Sequence, residues 1–199
     1  MPKSNHKSNS IFIEKLRVAS SFLKKEKRQQ LNTLSSLCQS NALDPIVFVC
    51  THNSRRSQAA ELILFILAEH FKLNRSTASC GTERTAFHPN MVKAFNSFGI
   101  ELIQYGTDNP LFVYHPTGKS KYLYSKSIAD LSFPAFIVIT VCSDAEDKCP
   151  YLPEATARYH LGFEDPKKYD GTEEELRGYQ DKIIEIGSQL FYLAKKMQA

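Results

Sequence analysis

The stretch VFVCTHNSRRSQAAE, residues 47–61, joins an apolar run to a helix-forming run through a polar loop that begins at a cysteine. The β-forming residues 46–49 are all apolar, which predicts a strand buried on both faces of a parallel sheet. Residues 57–72 are apolar nearly all round, which predicts a buried helix. Cys50 therefore ends a strand and precedes a helix N-terminus, the position where open α/β sheets bind ligands.

This loop contains the residue types that bind a tetrahedral oxyanion. Its backbone amides and the positive end of the following helix attract an anion. Arg56, separated from Cys50 by five residues, can return a guanidinium fork that binds two oxygens. The same field is expected to lower the pKa of Cys50 below its usual ~8.5. Ser57 is expected to hydrogen-bond the thiolate, and Asn53 to hold the turn. The alternative is a buried core thiol that ends a strand. The predicted substrate-binding residues are Thr51, His52, Asn53, Ser54, Arg55, Arg56 and Ser57.

The rest of the chain alternates strand and helix patterns, which predicts an α/β fold with a single parallel four-stranded sheet flanked by helices. The strongest strand pattern is FIVITV, residues 136–141. Two segments separated by a polar turn, 112–114 and 122–124, predict a hairpin. The predicted organisation is an N-terminal helical extension at 1–44 and an α/β domain at 45–199, with an insertion at about 104–125. Further predicted strands are 77–79, with a turn at 80–81, and 100–103; further predicted helices are 11–40 (one or two), 90–98 and 172–196.

Composition limits the class of protein. The chain has 199 residues, 42% of them hydrophobic, and a formal net charge of +4. Its basic excess near the N-terminus is interpreted as a solvated helix face; nucleic-acid binding is the alternative, without a supporting motif. No apolar run reaches the ~18 residues of a membrane span, and residues 1–10 lack the apolar core of a signal peptide. Five cysteines without secretory context indicate reduced thiols and a cytoplasmic location.

Two further motifs follow the 136–141 strand pattern. The first is Cys142-x6-Cys149-Pro, whose spacing does not suit the common zinc pairs and which lacks a histidine cluster to complete a metal site. Two thiols seven positions apart, the first at the carboxyl end of a predicted strand, suit a disulfide relay, and a pair of incidental reduced thiols is the alternative. The second is Gly162-Phe-Glu-Asp165-Pro166, in which Asp-Pro alone is only a turn starter.

The loop at Cys50 resembles the phosphate loop of the low-molecular-weight protein tyrosine phosphatase superfamily. The Cys142–Cys149 segment and the Asp165-Pro motif resemble the thioredoxin-coupled arsenate reductases within it. The resemblance covers residues 46–103 and 136–197. It implies that Cys50 is the nucleophile and that Asp165 is the general acid, with Glu164 as the substitute. It also implies that Cys142 attacks Cys50, that Cys149 resolves the disulfide, and that a thioredoxin-like partner reduces it without metal or organic cofactor.

The sequence departs from the family pattern at several positions. His52 stands where many members have glycine, and Arg55 replaces a cysteine or small residue, which is expected to add positive charge at the rim. Cys80 is interpreted as a buried apolar thiol, as is Cys38. Asn53 and Glu61 match positions through which some arsenate reductases bind potassium. The aromatic insertion either lines the mouth of the site or, the preferred interpretation, covers a sheet edge.

Three functions remain open from the sequence. The first is an arsenate reductase that uses all three cysteines. The second is a phosphatase that hydrolyses phosphomonoesters through a phosphocysteine and needs only Cys50, Arg56 and Asp165. The third is a sensor that binds phosphate or arsenate without turnover. Cys142 and Cys149 discriminate between the first two, because a phosphatase has no use for them.

Overall fold

A computed structural model describes residues 4–116, 118–142 and 152–198. Within these ranges the helices are α1 (Ser4–Ser21), α2 (Lys25–Ser40), α3 (Arg56–Phe71), α4 (Pro89–Ser97) and α5 (Glu175–Gln198). The strands are β1 (Ile46–Cys50), β2 (Thr77–Gly81), β3 (Leu102–Tyr105), β4 (Leu111–Tyr114), β5 (Lys121–Leu123), β6 (Phe136–Thr140) and β7 (Ala155–His160). Short 3-10 helices occupy Ile128–Asp130 and Pro166–Tyr169. No helix in the described ranges is long and apolar enough to cross a membrane.

The central sheet is parallel, with strand order β2-β1-β6-β7. All five residues of β1, β2 and β6 are buried, as expected for a sheet covered on both faces. This confirms the predicted four-stranded parallel α/β fold. Because parallel strands end at a common edge, the ends of β1, β2 and β6 bring Cys50, Gly81 and the segment at Cys142 to one side of the sheet.

Three strand predictions need correction. The fourth strand, β7, was not predicted, because its alternating small and polar residues carry no apolar run and its side chains are only partly covered. The strand predicted at 100–103 begins at Leu102 and joins a separate antiparallel sheet, order β3-β4-β5, in which β4 and β5 form the predicted hairpin. The turn predicted at 80–81 is wrong, because β2 continues to Gly81.

The segment predicted as one or two helices is two, and both share the core of the α/β unit. Phe12 and Leu16 of α1 and Leu31 and Leu34 of α2 are each 0% exposed within one contiguous hydrophobic cluster. Leu16 packs against Gly187 of α5. A Cβ added at Gly187 would lie only 2.4 Å from the Leu16 side chain. The extension is therefore docked by close packing; the domain boundary at residue 44 stays a prediction.

Candidate functional site

The loop between β1 and α3 turns at Asn53. This residue is 0% exposed and has a φ of 43°, a left-handed conformation that asparagine tolerates better than most residues. Its Nδ2 donates to Ser57 Oγ and to Ser79 Oγ, both at 2.8 Å, and its Oδ1 accepts from the Lys126 backbone amide at 2.7 Å. Asn53 thus ties the loop to α3, to β2 and to the segment after β5.

Gly81, which was not among the predicted site residues, lets the end of β2 approach the backbone of this loop closely. A Cβ at Gly81 would lie 2.6 Å from the carbonyl oxygens of Thr51 and Glu83 and 2.7 Å from Asn53 N. No side chain fits so close to backbone, so glycine is required there. The following residues continue the contact, since the Glu83 amide donates to Thr51 O at 2.8 Å. The glycine in the turn predicted at 80–81 was the available signal.

Cys50 is nearly enclosed. It is 4% exposed, and its Sγ lies 3.0 Å from Ser57 Oγ. Burial raises the pKa of the Cys50 thiol, the Ser57 hydrogen bond and the Arg56 charge lower it, and the net direction is upward. The predicted lowering of this pKa is therefore wrong. The desolvation of the thiolate outweighs the favourable charges, and it depends on tertiary packing that the sequence does not show.

The Ser57 hydroxyl is expected to control this pKa measurably. Because its hydrogen bond favours the thiolate, Ser57→Ala should raise the pKa of Cys50 further and move the pH profile of Cys50 alkylation to higher pH. The rate is followed as iodoacetamide modification of the peptide that contains Cys50, between pH 6 and 10. Ser54→Ala is the matched control, because Ser54 Oγ donates to Ala86 O instead. An unchanged profile in Ser57→Ala would contradict the assignment.

Arg56 and Asp165 meet at the same edge. Arg56 begins α3; its Nη2 donates to Asp165 Oδ2 at 2.5 Å and its Nη1 to Phe163 O at 2.8 Å. Asp165 also caps the following 3-10 helix, since its Oδ1 accepts from the Lys167 amide at 3.0 Å. The structure thus places the predicted nucleophile, arginine and acid around one small hollow, lined by Cys50, Thr51, His52, Ser54, Arg55, Arg56 and Asp165.

Arg55 differs from its expected role as a positive charge at the rim. Its side chain is only 14% exposed. Its Nε donates to Tyr179 Oη at 2.7 Å and its Nη2 to Asp170 Oδ2 at 2.8 Å. The guanidinium charge is thus paired within the protein. His52, by contrast, has an exposed side chain with Nε2 3.4 Å from Glu83 Oε2.

The first of the two further cysteines lies beside the loop. Cys142 lies two residues beyond the end of β6, is 1% exposed, and has its Sγ 3.8 Å from Thr51 Oγ1. Cys149 lies outside the described residues, so its predicted role stays a prediction. The other two cysteines are buried as expected: Cys38 and Cys80 are both 0% exposed, and burial raises the pKa of Cys38 to about 11.

A buried carboxylate below the loop already has cationic partners. Glu61 is 2% exposed; its Oε1 lies 2.8 Å from Lys121 Nζ and its Oε2 3.5 Å from Lys126 Nζ. Ser79 Oγ also donates to Oε2 at 2.5 Å. With two ammonium groups on Glu61, these residues do not fit the potassium ion that the resemblance suggested. Sequence reasoning missed both lysines, which lie in or beside the insertion.

The insertion covers an edge of the central sheet, the preferred interpretation. Lys121 Nζ donates to the Thr77 carbonyl of β2 at 2.5 Å, and the Gly81 amide donates to Lys126 O at 2.8 Å. Both groups belong to the outer edge of β2, which is the edge strand of this sheet in the part of the chain that the structure describes. None of the described residues of the insertion lines the hollow at Cys50.

Comparison with known proteins identifies the family. The chain is 36% identical over 146 residues to an arsenate reductase of Bacillus licheniformis, covering 73% of this chain and 91% of the relative. The chain belongs to the arsenate reductase family. No protein-family model matches it. The predicted resemblance and the prediction of an enzyme are thereby confirmed.

Two solved structures support the fold of this arsenate reductase family member. An arsenate reductase in the oxidized state aligns with a TM-score of 0.53 and 20% identity, over 77% of this chain and 98% of that one. A low-molecular-weight phosphotyrosine phosphatase from Vibrio cholerae aligns with a TM-score of 0.52 and 20% identity, over 76% and 94%. These two likenesses establish the shared fold and do not separate the two activities.

Proposed function

We propose that the protein reduces arsenate to arsenite, with Cys50 as the nucleophile. The observation that carries this proposal is the meeting of Cys50, Arg56 and Asp165 at one sheet edge, with Cys142 next to the same loop. Family membership supports arsenate as the substrate, because the Bacillus licheniformis relative is named an arsenate reductase.

The first step forms a thiol–arsenate adduct. Cys50 loses its proton, and Ser57 donates a hydrogen bond to the resulting thiolate. The Arg56 fork turns from Asp165 to two oxygens of arsenate and neutralises their charge. As the sulfur–arsenic bond forms, Asp165 protonates the departing oxygen, which leaves as water. The nearly complete burial of Cys50 excludes bulk water from the adduct.

The second step transfers two electrons to arsenic. The Cys142 thiolate attacks Cys50 Sγ, the sulfur–arsenic bond breaks, and its electron pair leaves with arsenic as arsenite. Two thiolate sulfurs are thereby oxidised to a Cys50–Cys142 disulfide. Cys149 then attacks Cys142 and releases Cys50, and a thioredoxin-like dithiol reduces the Cys142–Cys149 disulfide. The cycle as proposed uses no metal or organic cofactor and belongs in a reducing compartment such as the cytoplasm.

Hydrolysis of phosphomonoesters is the alternative activity. It needs the same nucleophile, arginine and acid, and water in place of Cys142. The position of Cys142, 3.8 Å from the Thr51 hydroxyl of the nucleophile loop, favours the reductase, because a phosphatase makes no use of a second thiol there.

A coupled assay tests the proposal. NADPH oxidation is followed with arsenate, thioredoxin and thioredoxin reductase for the native protein, for Cys149→Ser and for Cys38→Ala. We expect sustained turnover in the native protein and in Cys38→Ala, whose thiol lies buried in α2. Cys149→Ser should stop after a single turnover. Equal hydrolysis of p-nitrophenyl phosphate by the native protein and by Cys149→Ser, with no arsenate-dependent oxidation of NADPH, would establish the phosphatase activity instead.

A further inference from the structure

Three polar side chains beside the hollow at Cys50 are joined pairwise into a triangle. Arg55 Nε donates to Tyr179 Oη at 2.7 Å, Arg55 Nη2 donates to Asp170 Oδ2 at 2.8 Å, and Tyr179 Oη donates to Asp170 Oδ1 at 2.6 Å. We call this the Arg55 triangle. Its members come from the nucleophile loop, from the segment that follows Asp165, and from α5.

The triangle is held by its surroundings. Tyr179 is 0% exposed, and its ring stacks on His88 with centroids 5.7 Å apart and planes 16° apart. Burial and the hydrogen bond to Asp170 raise the pKa of Tyr179, so its hydroxyl stays a donor. Burial alone would raise the pKa of Asp170, but the Tyr179 hydrogen bond and the Arg55 charge bring it below the ordinary value. Asp170 therefore stays ionised at neutral pH.

The triangle connects the acid to the nucleophile through short, rigid links. Arg55 directly precedes Arg56, and Asp170 follows the 3-10 helix that Asp165 caps. The Asp170 amide donates to Lys167 O at 3.0 Å, which closes that helix at its far end. The Arg55–Asp170 and Arg56–Asp165 pairs thus join the same two segments side by side.

The two pairs differ in what happens when an oxyanion binds. In the proposed reaction Arg56 turns its fork to the oxyanion and leaves Asp165, so that link between the segments opens. The Arg55 triangle contains no group that the reaction uses. It therefore still holds the acid segment, residues 163–170, when Asp165 must deliver its proton.

We propose that the Arg55 triangle positions the general acid, and that Arg55 is a positioning residue rather than a substrate ligand. This inference rests on the proposed function for its catalytic consequence. A displacement of about 1 Å in a reacting group can lower a rate about 100-fold, so the accuracy of this link matters for rate. The triangle should affect the chemical step and leave ground-state anion binding nearly unchanged.

The test uses Tyr179→Phe, which keeps the ring on His88 and removes only the hydroxyl. Tyr192→Phe is the matched control on the same helix, because its hydroxyl donates to Asn32 Oδ1, away from the site. Asp170→Asn is the second variant, which keeps the shape and removes the charge. Hydrogen–deuterium exchange of residues 163–171, kcat/KM for arsenate and the Kd of inorganic phosphate are measured for each.

In Tyr179→Phe and Asp170→Asn, we expect the backbone amides of residues 163–171 to exchange hydrogen about tenfold faster than in the native protein. The value of kcat/KM for arsenate should fall about tenfold, and the Kd of phosphate should stay within about twofold of native. Tyr192→Phe should match the native protein in all three. Native exchange rates in both variants would overturn the proposal, as would faster exchange with native kcat/KM.

If the native protein does not turn over arsenate, the proposed function is contradicted, but the positioning proposal can still be tested. The variants are then judged by hydrolysis of p-nitrophenyl phosphate, which needs the same acid, together with the exchange measurement. Native-like hydrolysis in both variants overturns the proposal, and a native protein that turns over neither substrate overturns both.

Discussion

The Cys50→Ser variant is expected to lose arsenate reduction, with a fall in kcat of about 10⁴-fold or more, while still binding inorganic phosphate. A serine hydroxyl can neither form the sulfur–arsenic bond nor accept the attack of Cys142. The groups that bind the anion, Arg56 and the loop amides, remain. The coupled NADPH assay measures the first property and isothermal titration with phosphate the second.

The companion control is Arg56→Ala, which should lose both properties because the guanidinium is the charged group of the anion site. The two variants together separate nucleophile from binding residue. Turnover in Cys50→Ser above about 1% of native would contradict the assignment and point to Cys142 as the attacking thiol.

Lys121→Met is expected to destabilise the protein by about 3 kcal/mol, or roughly 6–12 °C in Tm. The substitution keeps most of the apolar stem and removes the ammonium that lies 2.8 Å from the buried Glu61 carboxylate. Removing one partner of a buried ion pair typically costs about 3–5 kcal/mol, and Lys126 at 3.5 Å from Glu61 places this case at the lower end. Urea unfolding measures the change in free energy.

Lys119→Met is the matched control in the same hairpin, because Lys119 is exposed. It should stay within about 0.5 kcal/mol of native. The native protein should unfold at the same temperature in potassium and in sodium chloride, since lysines already neutralise Glu61. A loss under 1 kcal/mol in Lys121→Met would show that the Glu61 carboxylate does not depend on Lys121.

The sequence predicted the centre of the site because that centre is local. One strand end, one loop and one helix N-terminus follow one another in the chain and carry Cys50, Asn53, and Arg56 with Ser57. The proximity of these residues therefore follows from three adjacent elements. The pairings that support the centre are not local. Arg55 and Asp170 are 115 positions apart, and tertiary packing alone brings them together.

The failed fold predictions have the same kind of cause. Residues 155–160 alternate small and polar side chains, and only pairing with β6 makes them a strand. The pKa of Cys50 depends on how completely other segments cover the thiol, a quantity that no run of residues around it contains. The sign of that shift therefore required the structure.

The strands β1 and β6 pair in the sheet but lie far apart in the sequence, which has a consequence for biosynthesis. Thr51 and Cys142, neighbours in the folded protein, are 91 positions apart along the chain. Closing so long a loop precedes any gain from the contact, which makes such a topology slow to fold. At roughly 5–20 residues per second, a ribosome needs roughly 5–20 s between these two residues. A nascent chain thus carries Cys50 before Cys142 and Asp165, the two groups proposed to act with it, have been synthesised.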